Sequence, residues 1–442
     1  MSPIPLLHFL IPRDSLATGV ELSSQWSNPA DILSLLLIVG SNVVQSALAQ
    51  LSDGLITPVC FSFGWVAYSF ITLAAMAGTG RLMPDVDFPC KVINLQNGYA
   101  RENRSWVVGR VLRDATEMLG DEGMCVKVLE AREAKEGAAG LGQKDVIWWA
   151  SLGTMIVQLG VAAVPWSVDN DWGVLMITAI GTLLALLTGS LPQWKVEKSA
   201  GRKNSKKWIA VTVGNGSRQI LVFKGNGKSM DLEDLASGQG PKCARSWSDS
   251  RWFTRAIAKV APDGKLQVEE EKRKTVTFNR LPLGFWFTRF ACSGLTLCWI
   301  ALLISTSGMK ANTWFLIIIG AIGMLQNSIV AAISRTPQTR GLHFDEVLNM
   351  RLHKTMDALM DLEVMMPGKV RVLLKEFFPG HLLPDEQAWW AGQWEAYDSR
   401  RYRERGKRGI PASMQDERPA HACPSDCPHG NALGDSTKKT AS

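Results

Sequence analysis

The stretch TWFLIIIGAIGMLQNSIVAAIS, residues 313–334, contains no charged side chain. A helix of about 20 mainly apolar residues crosses the roughly 30 Å hydrocarbon core of a bilayer, so this stretch has the length and composition of a membrane span. Five other stretches carry almost no charge: 32–50, 55–77, 146–164, 172–191 and 285–306. One such stretch could be a buried core helix, but six of them in one chain indicate a membrane protein.

Tryptophan residues mark the ends of the last four stretches. They are Trp148, Trp149, Trp166, Trp172, Trp194, Trp286 and Trp314. Indole rings favour the headgroup level of a bilayer, so this placement is typical of membrane helices. A soluble core helix has no such preference for tryptophan at its ends.

The distribution of Lys and Arg predicts the orientation of the chain. The short connections 51–54, 165–171 and 307–312 contain only one basic residue, Lys310, whereas the long loops and the C-terminal part are rich in them. Because basic residues that flank spans stay in the cytoplasm, both termini and both long loops are predicted to be cytosolic.

These observations predict an all-α membrane protein with about six transmembrane helices in three hairpins, with cytosolic amphipathic helices and a small region that contains a β-hairpin. The predicted segments are, in chain order, a cytosolic N-terminus (1–31), transmembrane hairpin 1 (32–77), a cytosolic loop (78–145), hairpin 2 (146–191), a second cytosolic loop (192–284), hairpin 3 (285–334), cytosolic amphipathic helices (335–408) and a disordered tail (409–442).

The second cytosolic loop contains the signature of a β-hairpin at 208–224. WIAVTV and RQILVFK are rich in β-branched residues, and Gly214-Asn215-Gly216-Ser217 separates them. Asn-Gly between two such runs is a strong hairpin signal. The following GNGKS, residues 225–229, resembles the end of a phosphate-binding loop, but Val222 stands where that motif needs its first glycine. We interpret this stretch as a turn.

The net charge of +7 suits an anionic partner. We expect the lipid bilayer, and anionic headgroups at its cytosolic face, to be that partner, and not nucleic acid. Trp390, Trp394 and Tyr397 share one helical face ahead of a basic cluster at 400–408. This face could lie on the membrane surface or pack on the cytosolic part of the protein, and the sequence favours neither.

The sequence predicts no catalytic, cofactor-binding or metal site. His421, Cys423, Cys427 and His429 are zinc-type ligands, but all four lie within one short stretch of the predicted disordered tail. Zinc sites usually bring two ligand pairs together across a folded loop, so this cluster is not assigned as a site. The eight cysteines are scattered and fit reduced thiols that face the cytosol.

Several phrases carry a resemblance to a family, among them LAQLSDGLITPVCFSFGWVAYS, WWASLGTMIVQLGVAAVPW, VGNGSRQILVFKGNGKSMDLEDLA and FFPGHLLPDEQAWW. They resemble uncharacterised multi-pass integral membrane proteins of filamentous ascomycete fungi, over residues 30 to about 395. The resemblance implies a shared membrane architecture and a fungal origin. It implies no activity and no site residues.

Three function classes remain open at this point. A membrane-anchored interaction or regulatory protein with a cytosolic protein partner is favoured, because the cytosolic segments are large and the external loops are short. A small-molecule transporter or channel is the alternative, with Gln45, Gln158, Gln326 and Asn327 lining a path. A membrane-embedded enzyme is the second alternative, although no recognisable catalytic set is present, so we expect the protein not to be an enzyme.

Overall fold

The computed structural model describes residues 39–52, 54, 56–117, 123–132, 142–248, 254–255, 274–309 and 311–407. Two compact units divide the chain, the first ending at Leu352 and the second beginning at His353. The first unit combines a bundle of apolar helices with a β-sheet. The second is a small helical unit.

The first unit contains helices of very different lengths. They are α1 Ser41–Leu51, α2 Trp65–Ala77, α3 Trp106–Glu117, α4 Val146–Asp169, α5 Gly173–Gly189, α6 Pro192–Lys198, α7 Leu232–Ala236, α8 Leu283–Ser307 and α9 Thr313–Ala332. Within the described residues, α4, α8 and α9 are long and apolar enough to cross a membrane, with mean hydropathies of 1.6, 1.7 and 2.0. The pair α5 and α6, bent by 42°, could form a fourth span.

The expected all-α fold with about six transmembrane helices in three hairpins is therefore wrong. The first predicted hairpin, 32–77, fails most clearly. Its helices α1 and α2 have only 11 and 13 residues, so they are about 16 and 20 Å long and too short to cross about 30 Å of hydrocarbon. Residues 32–38 lie outside the described part of the chain.

The fold is mixed α/β because the polar segments form strands. The strands are β1 Lys91–Asn94, β2 Ala100–Glu102, β3 Met124–Ala131, β4 Lys203–Ser205, β5 Trp208–Thr212, β6 Gln219–Lys224, β7 Ser229–Met230, β8 Thr254–Arg255, β9 Lys274–Thr275, β10 Thr277–Phe278, β11 Leu281–Pro282 and β12 Phe344–Leu352. Six of them form one sheet in the order β12-β3-β6-β5-β1-β2. The others form two-stranded ladders, β4 with β7, β8 with β9 and β10 with β11.

The six-stranded sheet joins three distant parts of the chain. β1 to β3 come from 78–145, β5 and β6 from 192–284, and β12 follows the last apolar helix. β5 pairs antiparallel with β6, with Trp208 opposite Lys224, where the sequence predicts a hairpin. β6 then pairs parallel with β3, and β3 pairs antiparallel with β12. The three segments therefore lie at the same end of the helical bundle, which we call the sheet end.

The bundle helices form a ring. Each contacts the next in the order α1, α2, α8, α5, α4, α9 and back to α1, and α5 also contacts α9. At the end opposite the sheet, the α4–α5 and α8–α9 turns meet, because Asn312 Nδ2 donates a hydrogen bond of 3.0 Å to Asp171 Oδ2. We call this end of the bundle the far end.

The second unit is built from α10 Thr355–Met365, α11 Leu374–Phe377, α12 Pro384–Trp390 and α13 Glu395–Lys407. Trp389 and Tyr397 are buried, and Tyr397 Oη donates to Asp357 Oδ1 at 3.2 Å. Tyr397 thus packs against α10 within this unit and does not share one continuous helix with Trp390, because the chain turns between α12 and α13. The basic side chains of 402–408 lie outside the described residues.

Candidate functional site

A buried extended segment runs through the interior of the bundle. We call Thr57–Gly64 the central segment; it connects α1 to α2 and is buried throughout. Pro58 removes a backbone donor and disfavours helix at Thr57. Gly64 has a φ of 88°, which favours glycine, and it starts α2 inside the bundle. A stretch that is apolar enough for a span is therefore extended here.

The central segment is re-entrant: it enters from the sheet end and the chain returns there as α2. Thr57 Oγ1 donates to the carbonyl of Gly189, the last residue of α5, at 2.8 Å. At the other end of the segment, the Phe63 ring lies against Gly320, near the middle of α9. α2 then ends at Ala77, and Gln45 Nε2 donates to the carbonyl of Leu82 beyond it.

Two buried amide side chains hold the backbone of the central segment. Asn327 of α9 accepts from the Cys60 N–H at 3.1 Å and donates to the Cys60 carbonyl at 3.0 Å. Gln158 of α4 donates to the carbonyls of Phe61 and Ile319, at 2.6 and 2.8 Å. Trp65 Nε1 also donates to the Cys60 carbonyl. These bonds matter because unpaired backbone groups are costly where no water is available.

Two glycines allow the segment to approach the neighbouring helices. A Cβ atom at Gly323 of α9 would overlap the Phe61 carbonyl, and one at Gly181 of α5 would lie 2.6 Å from the Phe61 ring. Phe61 therefore packs between α5 and α9. Gly189 of α5 lies against Thr57 in the same way, so α5 contacts this segment through two glycines.

The polar residues proposed for a transport path have internal partners in this structure. Gln158 and Asn327 bind the central segment, Gln45 binds the Leu82 carbonyl, and Gln326 Nε2 donates to Ser151 Oγ at 3.1 Å. The structure brings Gln158, Gln326 and Asn327 together around the central segment, whereas Gln45 lies near the sheet end of the bundle.

We call the six-stranded sheet and α3 the sheet domain. A second group of functional candidates lies where the bundle meets this domain. We call it the junction cluster: Arg110, Asp114, Asp145, Lys198, Arg335 and Arg340. Arg335, just after α9, makes paired hydrogen bonds of 2.8 and 2.9 Å to the carboxylate of Asp145, the N-cap of α4. The backbone N–H of Arg335 donates to Asp114 of α3 at 2.9 Å. This single residue connects α3, α4 and α9.

Arg340 and Asp114 form an ion pair that is almost completely buried. Burial lowers the pKa of the Arg340 guanidinium, and the charge of Asp114 opposes that effect. Arg340 also donates to Gln50 Oε1 at 3.3 Å, next to the end of α1. A buried charge is stable only with such partners, so the two side chains depend on each other.

Basic side chains of the junction cluster also bind the C-terminal carbonyls of two bundle helices. Lys198 Nζ donates to the carbonyls of Ala49 and Gln50 in α1, at 3.0 and 3.2 Å. Arg110 donates to the carbonyl of Ala331 in α9 at 2.9 Å. Cations are favourable at helix C-termini, where carbonyls lack partners and the helix dipole is negative.

The GNGKS stretch forms a turn that ties β6 to β3. Asn226 Nδ2 donates to the carbonyl of Ala131 at 2.8 Å, and Ser229 Oγ donates to the carbonyl of Ser205. The adjacent cavity, lined by Arg132, Lys228 and others, has a volume of 10 Å³. That is room for about one water molecule and not for a nucleotide.

No group of three or more His, Cys, Asp or Glu side chains that could hold a metal ion occurs in the described ranges. His421, Cys423, Cys427 and His429 lie outside those ranges. The zinc hypothesis for the tail therefore stays a sequence hypothesis.

Sequence reasoning missed the central segment and the junction cluster. Pro58 and Gly64 within an apolar run were the available signal for the first, because both interrupt helices. No local signal marks the second, since Asp145 and Arg335 are 190 residues apart. No protein-family model, curated protein or solved structure matches this chain.

Proposed function

We propose that this is an integral membrane protein of the interaction or regulatory class, in which a helical bundle in the bilayer holds a folded sheet domain in the water phase. The junction cluster is the observation that carries the proposal. Its buried ion pairs fix α3 of the sheet domain to the ends of α1 and α9. A partner that binds the sheet domain would therefore act directly on the bundle.

The exposed surface of the long helices supports a lipid environment. Only 28, 28 and 33% of the apolar windows of α4, α8 and α9 are buried. Ile156, Phe290, Leu297 and Leu325 are among their exposed large apolar side chains. A soluble monomer rarely exposes so large an apolar surface, whereas lipid tails would cover it.

The aromatic residues form two layers that fit the two headgroup regions. Trp166, Trp172 and Trp314 lie near the far end, and Trp149 and Trp286 lie near the sheet end. Along α4, Trp149 and Trp166 are separated by about 26 Å at 1.5 Å per residue, close to the thickness of a hydrocarbon core.

Basic side chains beside the aromatic layer of the sheet end support a cytosolic position for the sheet domain. Lys144 Nζ lies 4.2 Å from the Trp148 ring centre, and the Arg289 guanidinium lies 5.4 Å from that of Trp286. Such cations suit anionic headgroups of the cytosolic leaflet. The proposal therefore includes cytosolic termini. Membership of the fungal membrane family remains part of the proposal.

Strand β12 is the proposed partner-binding edge. It is an edge strand of nine residues, and Val347 at its bulge is 62% exposed. Edge strands offer unpaired backbone groups to a protein partner. The partner class is a protein that contributes an extended segment.

The test uses the full chain in membranes, with a photo-crosslinking residue at Val347 or, as the matched control, at the lipid-facing Val157. We expect a discrete protein adduct from position 347 and lipid adducts from position 157. Lack of a protein adduct at 347 in a correctly inserted chain would contradict the interaction class. Release of the chain from membranes by alkaline carbonate would contradict the membrane placement itself.

A further inference from the structure

We infer that the ring of bundle helices surrounds a path for small uncharged polar solutes, and that the central segment closes this path. The inference deepens the proposed function and rests on its membrane placement. It assigns to the bundle an activity, solute permeation, that the sheet domain could regulate.

The position of the central segment is the first reason. It contacts four ring helices: Cys60 Sγ donates to the Ser151 carbonyl of α4, Phe61 packs on Gly181 of α5 and stacks on Trp299 of α8, and Asn327 of α9 binds Cys60. Helix axes in contact are about 8–10 Å apart, so a closed ring of helices leaves an interior that must be filled. Here an extended segment fills it.

The second reason is a set of buried polar atoms around the central segment that have no hydrogen-bond partner among the described residues. They are Gln158 Oε1, Thr182 Oγ1 and Trp299 Nε1. Gln158 binds the segment, Trp299 stacks on Phe61, and Thr182 follows the glycine that Phe61 contacts. Unpaired buried polar atoms are rare and costly, and a bound water or other polar molecule would pair them.

The chemistry of these atoms indicates the class of solute. An amide oxygen, a hydroxyl and an indole N–H are uncharged hydrogen-bonding groups. Water, glycerol and urea can form hydrogen bonds with such groups and need no opposite charge nearby. These groups would bind ions only weakly, because a charge in such an interior needs a compensating charge.

The central segment closes the path at the depth of Phe61. α5 and α9 contact each other, but at the depth of Phe61 the central segment separates them, because Phe61 lies between Gly181 and Gly323. The far-end turns are joined by Asn312 and Asp171. Opening thus requires the central segment to withdraw toward the sheet end, where Thr57 binds the end of α5.

The test is solute permeability of proteoliposomes that contain the full chain, measured by stopped-flow light scattering with glycerol and urea. Asn327→Ala removes three hydrogen bonds to the segment, two to Cys60 and one to Ser62 Oγ, and we expect permeability to rise about a hundredfold, because each bond is worth roughly a factor of five. Ser305→Ala is the control, since this exposed hydroxyl of α8 donates to the Ala301 carbonyl of its own helix and not to the segment. Its permeability should stay at the wild-type level.

A reversible lock makes the test specific. When Asn327→Ala is combined with Ser151→Cys, oxidation should join the introduced thiol to Cys60 and return permeability to the wild-type level. Reduction should then raise the permeability again. In the Asn327→Ala, Ser151→Cys protein that also carries Cys60→Ser, oxidation should not change the permeability. If Asn327→Ala does not fold, Gln158→Met removes two hydrogen bonds with little change in volume and takes its place.

Equal permeability of Asn327→Ala and Ser305→Ala, in folded and inserted protein, would overturn the inference. A high permeability of the Asn327→Ala, Ser151→Cys protein that oxidation leaves unchanged would also overturn it. Insertion is measured separately by carbonate resistance of the same proteoliposomes. A chain that inserts but shows no flux contradicts only the permeation path, whereas a chain that does not insert contradicts the proposed function.

Discussion

Arg335 and Asp145 are joined by two parallel hydrogen bonds of 2.8 and 2.9 Å, although 190 residues separate them in the chain. The Arg335 side chain is 2% exposed and the Asp145 side chain 23%. The pair connects the end of α9 to the start of α4 at the sheet end of the bundle. Paired guanidinium–carboxylate geometry fixes orientation as well as distance.

Asp145→Asn tests this connection. Asn still caps α4, but it leaves the buried Arg335 charge without its carboxylate, so we expect the free energy of unfolding to fall by about 3 kcal/mol. The control is Asp345→Asn, which breaks the exposed pair with Arg132 and should cost less than about 1 kcal/mol. Thermal unfolding in detergent measures both. Equal losses in the two variants would contradict a special role for the Arg335 pair.

Gly323→Ala tests the fit of the central segment. The added methyl group would meet the Phe61 carbonyl, and overpacking of this kind costs about 1–3 kcal/mol. Gly153→Ala in α4 is the control, because a Cβ there meets no described atom within 4 Å, and alanine favours helix. We expect a lower unfolding temperature for the first variant and no decrease for the second. If Gly323→Ala left the unfolding temperature unchanged, the segment would pack less tightly at this position than the structure shows.

Thiol labelling distinguishes buried from exposed cysteines of the sheet domain. Burial raises the pKa of the Cys90 thiol to about 12, so it has almost no thiolate near neutral pH, and reagents cannot reach it. Cys243 is exposed. We expect a membrane-impermeant maleimide to label Cys243 in the folded protein and Cys90 only after denaturation, as read by mass spectrometry of peptides. Early labelling of Cys90 would contradict its position in the core.

Asn215 reports the side of the membrane on which the sheet domain lies. Asn215-Gly-Ser217 and Asn103-Arg-Ser105 are glycosylation sequons. Asn215 is exposed in the turn between β5 and β6, whereas Asn103 is buried and binds Ser105. We expect no glycan on Asn215 in eukaryotic cells, and a glycan on a sequon-bearing loop inserted between Asn170 and Trp172. Endoglycosidase digestion and gel mobility measure both. A glycan on native Asn215 would reverse the orientation.

The sequence alone determined the positions of α4, α8 and α9. Their long, almost uncharged runs specify helices in any apolar environment, because hydropathy is a local property of about 20 residues. It also indicated the turn at Gly214–Ser217, because Asn-Gly has a strong local conformational preference. In each case neighbouring residues carry the information.

Only the tertiary structure decided the central segment, the sheet and the junction cluster. Thr57–Gly64 is as apolar as a span, but the amides of Asn327 and Gln158 pair with its extended backbone, and these residues lie in other helices. The sheet depends on pairing between β3, β6 and β12, which come from three separate segments. Every buried backbone group must be paired, and here distant residues supply the hydrogen bonds that a local helix would otherwise supply. The packing of the distant helices determines which of these partners are within reach.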